Sequence, residues 1–192
     1  GTEFLSRMQN HGVLPLITSC CPAWVKYCET YGYDQLDHLS TAKSPQQMFG
    51  AVIKTFFAEK EKIDPKDICS VSVMPCTAKK FECRRKEFHD SGFQDVDISI
   101  TVVELAKMIR TAGIHFEDLE DQEFDAPFGL GSGAGQIFGS TGGVMEAALR
   151  TVYEVLTGKT LERLEFTQVR GLEGIREASL TISGQEIRVA VV

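Results

Sequence analysis

The sequence predicts an α/β fold in which parallel strands are flanked by helices. Short apolar runs at residues 13–18, 68–74 and 97–101 have the length and composition of buried strands. A stretch with helical apolar spacing or charge pattern follows each of them, and strand alternating with helix is the pattern of a layered sheet with parallel neighbours. With 192 residues, 43% of them hydrophobic, the chain can bury the core of one large domain or of two small lobes.

Residues 3–9 read as the end of a helix closed by Asn10, His11 and Gly12. The run 13–18 is the first strand, and chemistry in such sheets gathers just past a strand's carboxyl end. Pro22 suits a first helical position, and Trp24, Tyr27, Cys28 and Tyr31 share helical spacing before Gly32 ends the helix. Ser44 and Pro45 open a second helix with an apolar stripe of Met48, Val52, Ile53, Phe56 and Phe57. Asp64 and Pro65 mark the loop before the strand over 68–74, which stops at Pro75. Residues 77–90 are helical in charge pattern, 97–101 form a strand, and 102–112 form an amphipathic helix broken by Gly113. The acidic stretch 117–125 reads as an exposed loop, and a glycine-dense segment over 129–143 follows it. A helix over 144–156, a strand over 165–170 and a hairpin over 179–192 turning at Ser183 and Gly184 complete the order. Two sub-lobes are expected, over about residues 1–115 and 116–192.

A net charge of -7 and a pI near 5.2 argue against nucleic acid as a partner. The basic run from Lys79 to Lys86 is interrupted by Phe81, Glu82 and Cys83, so it reads as the polar start of a helix. No apolar stretch approaches the roughly 20 residues of a membrane span and no leader opens the chain, so a cytoplasmic location is expected. Six cysteines are too sparse for a small secreted disulfide scaffold, which leaves reduced thiols and metal ligation as the better expectation. Gly1 is not an initiator Met, and 187–192 reads as a strand with no turn after it; the chain is expected to be a piece cut at both ends.

Cys20 and Cys21 lie between a strand and a helix N-terminus, where the helix dipole and free backbone N–H groups stabilise a thiolate. Cys76 repeats that arrangement: strand, Met74-Pro75-Cys76, then a helix carrying Lys79 and Glu82. Lys79 and Glu82 fit two readings. A cation beside a thiolate cluster with a carboxylate in reach suits anion ligation and proton transfer, but the same i, i+3 spacing also describes a solvated surface pair. The glycines at alternate positions over 129–135 do not make a dinucleotide fingerprint, because an acidic loop and Pro127 stand where a strand is needed. They allow close backbone approach to a compact ligand instead. Phe138 through Gly143, ahead of a helix, would offer backbone donors and an apolar lid to a small anion, with capping by Ser140 or Thr141 as the plainer use. Cys28, Cys69 and Cys83 read as core or surface thiols.

Three separated segments, TSCCPAW at 18–24, MPCTAKKFE at 74–82 and IFGSTGGVMEAALR at 137–150, resemble signature regions of the iron-only (FeFe) hydrogenases. LSTAKSPQQMFG at 39–50 is similar to the family between the first two, so the resemblance spans essentially the whole chain. It implies reversible reduction of protons to H2 at an H-cluster, a 4Fe4S cubane on four cysteines joined to a di-iron unit with CO, cyanide and azadithiolate. By motif, Cys21 and Cys76 resemble two cubane ligands, and Cys20 resembles the cysteine that passes protons to the azadithiolate amine. The resemblance gives Lys79 a cyanide to hydrogen-bond and puts Ser44 and Gln46 on the cluster's polar wall. Met74 and Phe138 would pack on the di-iron unit, and Gly139 would approach a cyanide with its backbone. Glu82, Ser40 and Glu3 match a proton relay with Arg7 at its outer end.

The family's last two cubane cysteines, in A-C-H-G-G-C-x-x-G-G, are not in this sequence, so the chain alone is expected to hold no complete cluster and to be inactive. Ala23, where many members have Gly, is a small change at a helix start. The implied architecture is two lobes around a cofactor cleft. The implied partners are ferredoxin or another electron carrier, the remaining segments of the parent chain, and hydrogenase maturation proteins. Two other functions share the fold. Iron-sulfur carriers of cluster assembly usually have a single cysteine in a C-P-G-W segment and lack the F-x-x-T-G-G-V-M-E-A run, whereas hydrogen-sensing domains have an altered pocket.

Overall fold

A computed structural model describes residues 1–129, 131–161, 167–169, 173–182 and 184–191. They fold as two units: residues 15–127, and residues 1–14 together with 128–192. The first fourteen residues cluster with the C-terminal part.

In the first unit, β1 (Val71–Met74) and β2 (Ile98–Thr101) pair in parallel with Val71 opposite Ile98 and Met74 opposite Thr101. The connection between them carries α5 (Ala78–Glu82), and β2 runs directly into α6 (Val102–Thr111). This is the expected parallel α/β arrangement, on a short strand pair. Ahead of it come α2 (Pro22–Thr30) and α3 (Pro45–Val52), the latter continuing through a π turn (Ile53–Phe57) into α4 (Ala58–Glu61).

Three expectations for this unit change. Residues 13–18 make no buried strand: Val13 and Leu14 are exposed, and Ile17 alone bridges to Leu39. Pro15 in that run has no N–H to give a ladder, so pairing begins only after it. The helix expected over 77–90 ends at Glu82, where the backbone bonds tighten to i, i+3 and Arg85 turns aside to Glu29 of α2. The stripe expected on α3 is covered only at Ile53 and Phe57, and there by half. Met48, Val52 and Phe56 are exposed, whereas Gln46, Gln47, Gly50, Lys54 and Ala58 are buried. Gly50 permits this, because a Cβ there would sit 2.4 Å from the Asp95 carbonyl oxygen.

Steps of four residues from 46 to 58 drift by about 40° each on a regular α-helix. The π turn widens the helix over Ile53–Phe57, which offsets that drift for the step from Lys54 to Ala58. Lys54, only 3% exposed, pairs with Asp97 at 2.8 Å and donates to the carbonyls of Pro65 and Ile68. Asp97 in turn accepts the Ser70 N–H at 2.6 Å. With residues 68–70 held this way, the ladder starts at Val71 and not at Ile68.

The cap of α6 carries a pH prediction. Thr101 and Glu104 form a capping box, and Lys80 pairs with Glu104. The Lys80 ammonium first, and the Thr101 N–H and hydroxyl after it, hold the Glu104 carboxyl down at about 2. Its folded pKa is depressed, so its contribution is present above the ordinary carboxylate range and is lost as pH falls through about 2. Glu104→Gln is expected to flatten the fall of the urea midpoint over that acid window. An unchanged slope would show that the pair carries none of it.

The second unit packs α8 (Gly143–Thr157) against the antiparallel hairpin of β4 (Arg176–Ile182) and β5 (Gln185–Val191), with β3 (Thr167–Gln168) on the outer side of β4. Leu149, Val152, Ile182 and Ile187 form its core, and Phe4, Leu5 and Met8 of α1 (Thr2–Gln9) pack on it. A short helix, α7 (Gly133–Ile137), lies inside the glycine-dense segment. Of the strand expected over 165–170, Thr167 and Gln168 are paired, while 165, 166 and 170 lie outside the described residues. So does Ser183 of the expected turn, although Ile182 opposite Gln185 gives the hairpin register.

Candidate functional site

Two chain segments bring cysteines to helix starts in the first unit. Cys21 is the N-cap residue of α2, with Pro22 at the first helical position, and Cys20 precedes it. Cys76 follows β1 by one proline and precedes α5. None of the three is in a disulfide; Cys21 and Cys76 are exposed and Cys20 is half-buried. Cys28 and Cys83 are buried in the protein, and burial pushes both thiols up. Among the described residues no group of three or more His, Cys, Asp or Glu is arranged for a metal ion.

Lys79 ties the two segments together. Its ammonium donates to the Cys20 carbonyl at 2.7 Å and lies 3.3 and 3.2 Å from the two carboxylate oxygens of Glu82. The open question of this i, i+3 pair is answered in part: it is no solvated surface pair, since Glu82 is 3% exposed. Ser44, the N-cap residue of α3, donates to Glu82 Oε2 at 2.9 Å, and Gln46 Nε2 donates to the same oxygen at 3.1 Å. Gln46 Oε1 accepts the Ser72 hydroxyl at 2.9 Å. Ser72 was not anticipated. Strand alternation was the signal, since residues 72 and 74 share one face of β1.

Behind Glu82 lies a pocket of about 180 Å³, lined among others by Ser19, Ser40, Ser44, Lys43 and Glu87. Ser40 thus shares a cavity with Glu82, and its hydroxyl accepts the Ala42 N–H at 3.1 Å. Lys43 is bound to the buried Asp95 at 2.6 Å and to Asp90 at 2.9 Å. Arg85, on the same wall, is raised well above the ordinary guanidinium value, chiefly by its hydrogen bonds to Glu29. Both cations are committed to carboxylates.

The remaining expected site residues belong to the other unit, apart from Met74. Glu3 accepts from Arg7 at 2.8 Å on α1, and Arg7 also donates to the Val13 carbonyl at 3.0 Å. Phe138, just past α7, is exposed, and Gly139 follows it. Met74, at the end of β1, is half-buried in the first unit.

The donor set suits an anionic iron-sulfur group. Cys21 and Cys76 are unpaired thiols at helix starts. The Lys79 ammonium, donating to the Cys20 carbonyl and to both oxygens of the Glu82 carboxylate, sets a fixed cation beside the Cys20–Cys21 segment.

The family profile "Iron only hydrogenase large subunit, C-terminal domain" matches residues 1–192. The chain is 50% identical to iron hydrogenase 1 of Clostridium pasteurianum, over 100% of this chain and 33% of that protein. It is also 50% identical to the periplasmic Fe hydrogenase large subunit of Nitratidesulfovibrio vulgaris, over 100% of this chain and 46% of that protein. A solved apo FeFe-hydrogenase variant from Chlamydomonas reinhardtii superposes with a TM-score of 0.81 at 45% identity, covering 94% of this chain and 46% of that one. A more distant match, at 33% identity over 95% of this chain and 40% of the relative, is the cytosolic iron-sulfur assembly component 3 of Bos taurus. The chain therefore spans a third to under half of these relatives' lengths. Among the described residues no helix is long and apolar enough to cross a membrane. Cysteines at two helix starts, joined through Lys79, and a profile match from end to end agree: the chain belongs to the family of C-terminal domains of the iron-only hydrogenase large subunit.

Proposed function

We propose that this chain supplies part of the hydrogen-activating site of an FeFe hydrogenase, an enzyme that reversibly reduces protons to H2. The observation that carries the reading is the Lys79 ammonium on the Cys20 carbonyl, which draws the Cys20–Cys21 segment to the helix that follows Cys76. Cys21 and Cys76 would hold a 4Fe4S cubane together with two cysteines from outside these residues. When bound, the H-cluster would supply the redox chemistry of hydrogen formation and cleavage. The Lys79 ammonium would set its positive charge toward an anionic ligand of that cluster, and Met74, Phe138 and Gly139 would shape its surroundings. Cys20 would hold and pass the proton, with Ser40 and Glu3 carrying it onward to Arg7. The interactions of Glu82 favour anchoring Lys79, because its carboxylate is already met by the Lys79, Ser44 and Gln46 donors. Ferredoxin or another iron-sulfur carrier would deliver electrons, and maturation proteins would install the di-iron unit. The parent's cytoplasmic location belongs to the same proposal.

The test uses two proteins. The isolated chain, reconstituted with iron, sulfide and a synthetic di-iron complex, is expected to evolve no hydrogen from reduced viologen. The same residues grafted in place of the matching segment of the Clostridium pasteurianum enzyme are expected to support evolution. Turnover by the isolated chain would overturn its incompleteness. A graft with full iron and sulfide but no turnover would overturn the hydrogenase reading in favour of an assembly carrier.

A further inference from the structure

We propose that Ser72 and Gln46 are positioning residues, the fixed end of a one-way hydrogen-bond chain that holds the Lys79 ammonium against the Cys20 carbonyl. The inference rests on the reading of Cys20, Cys21 and Cys76 as site residues, and it concerns how the Lys79 ammonium is held beside them.

The polarity of the chain follows from what each group can do. Lys79 can only donate, so the Glu82 carboxylate accepts from it at 3.2 and 3.3 Å. An ionised carboxylate can only accept, so Gln46 turns its Nε2 toward Glu82, at 3.1 Å. That orientation leaves Gln46 Oε1 toward β1, where the Ser72 hydroxyl must donate, at 2.9 Å. Ser44 is similarly committed: its hydroxyl gives its proton to Glu82 at 2.9 Å while its oxygen accepts the Gln47 N–H at 3.3 Å. No member can reverse without setting two acceptors against each other. Gln46 and Glu82 are 5% and 3% exposed, so water cannot readily replace a lost partner.

Removing the Ser72 hydroxyl leaves Gln46 Oε1 buried and unsatisfied and takes away the fixed end that sets the amide in place. The Gln46 Nε2 bond to Glu82 then loosens, and the carboxylate opposite Lys79 is held less firmly against the Cys20 side. A hydroxyl on β1 thereby governs where a cation sits at the start of the cysteine segment.

The test is amine labelling of the isolated chain with acetic anhydride and peptide mass mapping, alongside thiol alkylation. Lys79 is expected to label slowly against the exposed Lys26. In Ser72→Ala and in Gln46→Ala its rate is expected to rise about tenfold, as one buried hydrogen-bond partner is lost. Cys28 and Cys83 should stay protected in both variants, and Ser72→Thr should restore slow labelling. Lys79 labelling at the parent rate in both alanine variants would overturn the proposal. So would simultaneous exposure of Cys28 and Cys83, which would mean that the chain of bonds holds the fold and not the site. The measurement needs no iron. A graft inactive in hydrogen evolution beside a protected Lys79 would sink the functional reading and leave this one standing.

Discussion

In the grafted enzyme, Cys20→Ala is expected to lower hydrogen evolution by roughly 10²- to 10⁴-fold, the range associated with losing a positioned acid–base group, while iron and sulfide content stay at the parent level. Cys76→Ala is expected to remove both turnover and cubane iron, because a cubane is held by four thiolates. The two outcomes differ because the residues are read in different roles. Cys20 points its backbone carbonyl to Lys79 and is half-buried, whereas Cys76 is an exposed thiol ahead of α5. Iron analysis and viologen-linked hydrogen evolution on the same samples decide the matter. Loss of iron in Cys20→Ala, or full iron in Cys76→Ala, would reverse the assignment.

The positions of these cysteines were legible because local chemistry announces them. A proline at or just before each helix start, a strand upstream of Cys76 and uncapped N–H groups are written within a few residues of each sulfur. Four helices were legible for the same reason: α1, α2, α6 and α8 lie close to their expected spans, and the capping box of Thr101 and Glu104 marks the start of α6. What was not legible depends on contacts between distant residues. Ser72 and Gln46 are 26 positions apart, and neither suggests the other until β1 and α3 are side by side. The face of α3 was misread because apolar periodicity locates a stripe without saying that a polar stripe lies opposite it and is buried. Gly143 shows the limit of reading glycines: a Cβ there would lie 1.8 Å from the Ile137 carbonyl oxygen. At this position the close approach is made by the protein's own backbone, which no glycine count distinguishes from room for a ligand.

Lys54→Met is expected to destabilise the chain by about 3 kcal/mol, the low end of the range for breaking a buried ion pair from one side. The low end applies because Asp97 is 31% exposed and recovers water when its partner is gone. The methionine fills much of the space, so the loss comes from three abandoned acceptors: the Asp97 carboxylate and the carbonyls of Pro65 and Ile68. Urea unfolding followed by the single Trp24 reads it in the unit that holds the site. A loss below about 1 kcal/mol would place the pair with ordinary surface bridges. The consequence reaches Cys76 through geometry. Gln46 and Lys54 lie on one buried helix face, and they grip the strand pair at two places, Ser72 on β1 and Asp97 at the entry to β2. With the Lys54 grip removed, β1 is held on that face only through Ser72, so the strand that delivers Cys76 gains freedom at its beginning and not at its end. Amide exchange is accordingly expected to quicken at Ser70 and Val71 before it quickens at Met74, whereas Ser72→Ala should act in the opposite order.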